Sequence, residues 1–136
     1  MRDLLSAVKE QMARDVHVRF AYLFGSHAMD KATALSDIDI AVFLDNRVDP
    51  LHYRLKLVET FTRVAKNENI DIVVLNQATP LLKHEVIGAG IVLKEAREER
   101  LLFETEVLRE YLDLDHLRKV QRLYIREQLR AGTYFG

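Results

Sequence analysis

The chain has no cysteine, and it has two prolines and five glycines in 136 residues. Without cysteine there is neither a disulfide nor a thiolate metal site, so any metal must be held by oxygen or imidazole. The same absence fits a cytosolic protein. An uncharged apolar run near the ~20 residues that a bilayer span requires is also missing. The N-terminus, "MRDLLSAVKEQ", carries charge from Arg2 onward and is not expected to be a signal peptide. An excess of one charge is lacking too, with 20 basic residues against 21 acidic ones and a formal net charge of -1. That balance gives no electrostatic reason to expect avid binding to nucleic acid or to a membrane surface. Repeats, low-complexity tracts and linkers are absent as well.

What is present is ordinary for a soluble globular protein, 49% hydrophobic and 30% charged residues. The length suits a single domain over residues 1–136, with a core to about residue 95 and a helical segment over about 96–131. Leu4, Leu5, Val8 and Met12 recur at helical spacing and predict a first helix from Asp3 to Arg14. "VRFAYLFG" is rich in β-branched and aromatic residues and stops at Gly25, so it reads as a strand, and "SDIDIAVFL" reads as a second. Asp49 before Pro50 is a cap and first-turn signal. It opens a helix expected to carry Leu51, Leu55, Val58, Thr62 and Ala65 along one face. "NIDIVVLN" gives a third strand, Thr79-Pro80 starts another helix ending near Gly88, and "IVLKE" gives a short fourth strand. From Ala96 to Arg130 the pattern is helical, with room for a break at "LDLD", and stops at Gly132. The order implies an α/β or α+β fold, a small mixed sheet flanked by helices.

Asp37 and Asp39 open the second strand. Alternate strand residues share a face, so the two carboxylates point the same way from Cα atoms roughly 7 Å apart. An isolated D-x-D is most often a pair of solvated acids at a strand mouth. Asp71 changes this, because it too sits one residue into an apolar strand. If the two strands are neighbours, three carboxylates meet, and an all-oxygen set suits a hard cation such as Mg²⁺. Gly25 and Ser26 end the preceding strand. Glycine lets the backbone approach a ligand closely, turn N–H groups favour an anion, and a serine hydroxyl adds a donor. Phosphate cradle and metal carboxylates together are the equipment of metal-assisted phosphoryl or nucleotidyl transfer.

Ten residues, His27 to Ser36, separate Ser26 from Asp37, giving G-S-x10-D-x-D. This spacing resembles the signature of the nucleotidyltransferase superfamily that includes DNA polymerase beta and the kanamycin nucleotidyltransferases. The short length, the acid in "IDIVVLN" and the tail "REYLDLDHLRKV" look most like the minimal nucleotidyltransferase (MNT) antitoxins, which are paired with HEPN-domain RNase toxins. The resemblance implies a nucleotidyltransferase-like fold in which Gly25 and Ser26 bind the β- and γ-phosphates of ATP. It further implies that Asp37 and Asp39 coordinate Mg²⁺ in a two-metal site. Asp71 would complete that site and help deprotonate the incoming hydroxyl. It also implies AMP transfer to a tyrosine hydroxyl of the toxin, and hence a hetero-oligomer with it. Two positions depart from the common G-S-x-A-R-G, since Met29 stands in place of arginine and Asp30 in place of glycine, with Lys31 next to them.

Antibiotic nucleotidyltransferases carry a second helical domain that helps hold the acceptor. A solitary helical segment builds a poor small-molecule pocket, so the acceptor is expected on another polypeptide. A non-catalytic antitoxin that neutralises by binding is the main alternative, kept open by Met29 and Asp30. The catalytic subunit of a two-chain small-molecule nucleotidyltransferase is the other. Of the last helix, Leu101, Leu108, Tyr111, Leu112, Leu117, Val120, Leu123 and Tyr124 are expected mostly to cover the sheet. Its end, with Tyr124, Tyr134 and Phe135, offers a lesser prospect of a partner surface. The histidines at 17, 27, 52, 84 and 116 show no ligand spacing.

Overall fold

A computed structural model describes residues 2–25, 37–66 and 69–131. The elements, in chain order, are α1 (Arg2–Arg14), β1 (Val18–Phe24), β2 (Ile38–Leu44), α2 (Pro50–Ala65) and β3 (Ile70–Val74). A short 3-10 turn (Leu75–Gln77), α3 (Pro80–Ala89), β4 (Ile91–Lys94) and α4 (Arg97–Ala131) follow. Four strands form one sheet in the order β3-β2-β1-β4. β2 and β3 run parallel, while β1 is antiparallel to both β2 and β4. The expected mixed sheet flanked by helices is therefore present.

Both faces of the sheet are covered, which is why the strands read as near-continuous apolar runs rather than alternations. On one face Ile38, Ile40, Val42, Ile70 and Ile72 pack against Val8 and Met12 of α1 and Tyr53, Leu57 and Phe61 of α2. On the other, Phe20, Tyr22 and Ala41 meet Leu75, Val86 and Phe103. Phe20 and Phe43 stack there with ring centroids 4.8 Å apart.

The helix starts follow the local chemistry. Asp49 accepts a hydrogen bond from the His52 N–H at 3.1 Å, and Thr79 Oγ1 accepts one from the Leu82 N–H at 3.2 Å, each cap followed by a proline in the first turn. Lys94 Nζ donates to the carbonyls of Met12 (2.6 Å) and Asp15 (2.7 Å), closing the end of α1 and tying it to β4. Burial lowers the pKa of that lysine. The start of α4 is held by Arg19 on Glu99 and by Arg100 between Glu95 and Glu104.

Two expectations about helix faces need correction. Of the expected face, Val58 and Ala65 are partly buried against the core, but Leu51 and Leu55 are 61% and 56% exposed, and the buried stripe of α2 is Tyr53, Leu57 and Phe61. Two stripes compete on this helix, and the one with two large rings is the one buried against the sheet. On α4, Leu101, Leu108, Leu112, Leu117, Val120, Leu123 and Tyr124 do not cover the sheet but are exposed, and Phe103 is the α4 residue packed into the core on that face, with Val107 the buried residue of the helix. Nor does the helix break at "LDLD", since α4 is continuous over 35 residues.

Asn76 prolongs the β2–β3 ladder beyond the last paired residues. Its Oδ1 accepts from the Leu44 N–H and its Nδ2 donates to the Leu44 carbonyl, both at 2.9 Å, so one amide stands in for a strand residue. Asn76→Ala is expected to cost about 1–2 kcal/mol. Urea unfolding read by circular dichroism would register the loss, and an unchanged midpoint would refute it.

Candidate active site

The candidate residues gather where β1 ends and β2 and β3 begin. Parallel pairing sets Asp39 opposite Asp71, with Ile38 opposite Ile70 and Ile40 opposite Ile72. Because the two acids are in register on adjacent strands, their backbones are about 4.8 Å apart and their side chains leave the same face. That face is the one carrying Ala41 and Val73, the α3–α4 side. Asp37 lies one residue before β2 and is exposed. The neighbourhood that was conditional in the sequence, Asp71 beside Asp39, is a feature of the fold.

Gly25 approaches from the other side. Antiparallel pairing sets Phe24 opposite Asp39, so the next residue turns over that carboxylate. Gly25 has φ +74°, in the left-handed region. A Cβ at this position would fall inside van der Waals contact of Asp39 Oδ2 and 3.3 Å from its Cγ. Glycine is thus required twice, by the turn and by the acid beneath it.

Ser26, like His27, Met29, Asp30, Lys31 and Ser36, lies outside the described residues, as do Tyr134 and Phe135. Among the described residues no three acids or histidines are drawn together at metal-ligand range. The donors at hand are all carboxylate oxygens, the chemistry a hard cation takes, and Asp39 and Asp71 share one face.

One charged partner was not anticipated from the sequence. Arg54 on α2 donates from Nε to the Ile72 carbonyl at 2.7 Å and from Nη2 to Asp71 Oδ1 at 3.2 Å. A signal existed, because Arg54 directly follows the buried Tyr53 and precedes the buried Leu57 by three. It therefore stands at the rim of the packed face, above the edge strand. Of the histidines, His84 stacks on Tyr111 between α3 and α4, ring centroids 3.7 Å apart, and His17 pairs with Asp45 at 3.0 Å. Burial pushes the Asp45 carboxyl up, but hydrogen bonds from His17 and the Arg47 N–H together outweigh it and lower its pKa.

Residues 6–99 match the family described as Polymerase beta, Nucleotidyltransferase. No curated protein sequence matches the chain. Among solved structures it is similar to a chain of a toxin–antitoxin complex with AMP-PNP, with TM-score 0.74 and 23% identity over 90% of this chain and 98% of that one. A mutant of the toxin–antitoxin pair MntA-HpeT gives TM-score 0.68 and 25% identity over 89% and 95% of the two chains. A third likeness is to the complex of a tri-AMPylated Shewanella oneidensis HEPN toxin with its MNT antitoxin, with TM-score 0.66 and 21% identity over 90% and 98%. The family match runs from α1 into the start of α4 and takes in Gly25, Asp37, Asp39 and Asp71, so this chain belongs to the polymerase beta nucleotidyltransferase family.

Proposed function

We propose that the chain is an MNT-type antitoxin that transfers AMP from ATP to a hydroxyl, a tyrosine by preference, of a partner HEPN-domain RNase toxin and so neutralises it. The observation that carries this is the Asp39–Asp71 pair, in register on one face with Gly25 folded over Asp39. Complexes of similar chains support the rest of the reading, one containing AMP-PNP and one a tri-AMPylated HEPN toxin. We take residues 1–136 to act as one minimal domain, in the cytoplasm. Among the described residues no helix is long and apolar enough to cross a membrane.

In this reading Asp37, Asp39 and Asp71 hold Mg²⁺, as two ions. Bound there, Mg²⁺ supplies charge compensation for the triphosphate and makes the acceptor hydroxyl more acidic. Gly25, with no side chain in the way, brings backbone to the β- and γ-phosphates, and Ser26 adds its hydroxyl. Asp71 helps remove the proton from the acceptor hydroxyl. The acceptor oxygen bonds to the α-phosphorus as the bond from that phosphorus to the bridging oxygen breaks. Pyrophosphate leaves with the electron pair, and AMP remains on the acceptor.

The test uses a HEPN protein encoded beside this chain, mixed with it, Mg²⁺ and ATP. Intact mass of the partner should rise in steps of one AMP. A partner that stays unmodified yet is inhibited would replace this reading with neutralisation by binding alone, and modification of a small molecule would favour the two-chain enzyme.

A further inference from the structure

The residue facing Asp71 from outside the sheet is Arg54, and its geometry is that of a rival for the carboxylate. β3 stands at one edge of the described sheet. Arg54 reaches that edge from the second turn of α2. Its Nε is anchored on the Ile72 carbonyl at 2.7 Å, while Nη2 holds Asp71 Oδ1 at 3.2 Å. The forked guanidinium allows one side chain to hold backbone and carboxylate together. The contact occupies one Asp71 oxygen from the edge side of the sheet, opposite the strand that carries Asp39.

We propose that Arg54 and the divalent cation compete for Asp71, so that Arg54 is a positioning residue that sets how much metal the site requires. The proposal rests on the reading above that Asp71 is a metal ligand. The pair is exposed enough to be displaced, with 38% of the Arg54 side chain and 54% of the Asp71 side chain open to solvent. Removing the guanidinium acts twice in the same direction. It releases Oδ1, and it removes a positive charge that repels the incoming cation. A structural role as an edge cover, the plainer reading, would change stability and leave metal affinity alone.

The decisive measurement is Mn²⁺ binding to the full chain, read by electron paramagnetic resonance as the loss of free-ion signal beyond that caused by the same concentration of AMP-PNP alone. Arg54→Gln is expected to tighten Mn²⁺ binding by up to about five-fold, the ~1 kcal/mol ceiling of an exposed pair converted at 25 °C. Arg54→Lys keeps the charge but loses the fork, so it should fall between the two, and it decides the matter if Arg54→Gln does not fold. In an Asp71→Asn background the Arg54→Gln gain should shrink to the part due to the removed charge alone, because the release of Oδ1 runs through Asp71. Unchanged or weaker Mn²⁺ binding by Arg54→Gln, or an equal gain without Asp71, overturns the inference while leaving the metal site standing. Absence of Mn²⁺ binding in the wild-type chain overturns both.

Discussion

An Asp39→Asn chain is expected to fold as the wild type does and to lose AMP transfer by at least about a hundred-fold, the scale on which removal of one electrostatic stabiliser acts. Asparagine matches aspartate in shape and keeps one carbonyl oxygen, so the β1–β2–β3 pairing on either side of position 39 has no reason to change. What disappears is a negative charge between Gly25 and Asp71. With the strand pairing kept, thermal unfolding of Asp39→Asn should begin close to the wild-type temperature, even as transfer collapses. Melting curves and the rate of AMP addition to the partner, measured on one preparation, separate the two effects. Transfer at the wild-type rate would remove Asp39 from the chemistry.

Gly25→Ala is expected to damage the same site through the backbone. A non-glycine residue at φ +74° is strained by about 1–3 kcal/mol. The added methyl also meets Asp39 Oδ2, so either the turn lifts or the carboxylate moves aside. Misplacement of a reacting group by about 1 Å costs on the order of a hundred-fold in rate. Stability and transfer should therefore fall together, unlike in Asp39→Asn. A thermodynamic cycle identifies the contact. With Asp39→Ala already in place the steric conflict is gone, and Gly25→Ala should then cost the φ strain alone. Equal destabilisation in both backgrounds would mean that Gly25 answers to the turn and not to Asp39.

Much of this arrangement could be read from residue order, because strands and caps announce themselves locally. The D-x-D pair, the acid one residue into the third strand and the Gly25 stop are each short-range signals, and the register that joins them follows from pairing two similar apolar runs. Other features could not be read in that way. Leu51 and Leu55 are as apolar and as well spaced as Tyr53, Leu57 and Phe61, and the sheet decides between the stripes by docking the larger rings. The exposed leucines of α4 look like core positions to any periodicity argument, and nothing in the spacing shows that Phe103 is where the sheet-side core is met. Arg54 and Asn76 act across 17–18 and 32 positions of sequence respectively, through a helix rim and a 3-10 turn. Charge at such positions reads as a solvated surface until the strand beneath it is known.

The far end of α4 has a thermodynamic consequence of its own. From His116 to Ala131 every residue except Gln128 is exposed, so this stretch has little buried apolar surface to hold it. A helix of that length is marginal in water by itself, near the ~12–15 residue threshold, and survives here as an extension of turns already nucleated against the core. Its amides can open in fraying steps without disturbing the sheet, and a single unfolding free energy will describe the core and overstate this segment. Any protein that grips it contributes binding energy first to completing the helix, so its order becomes a readout of occupancy.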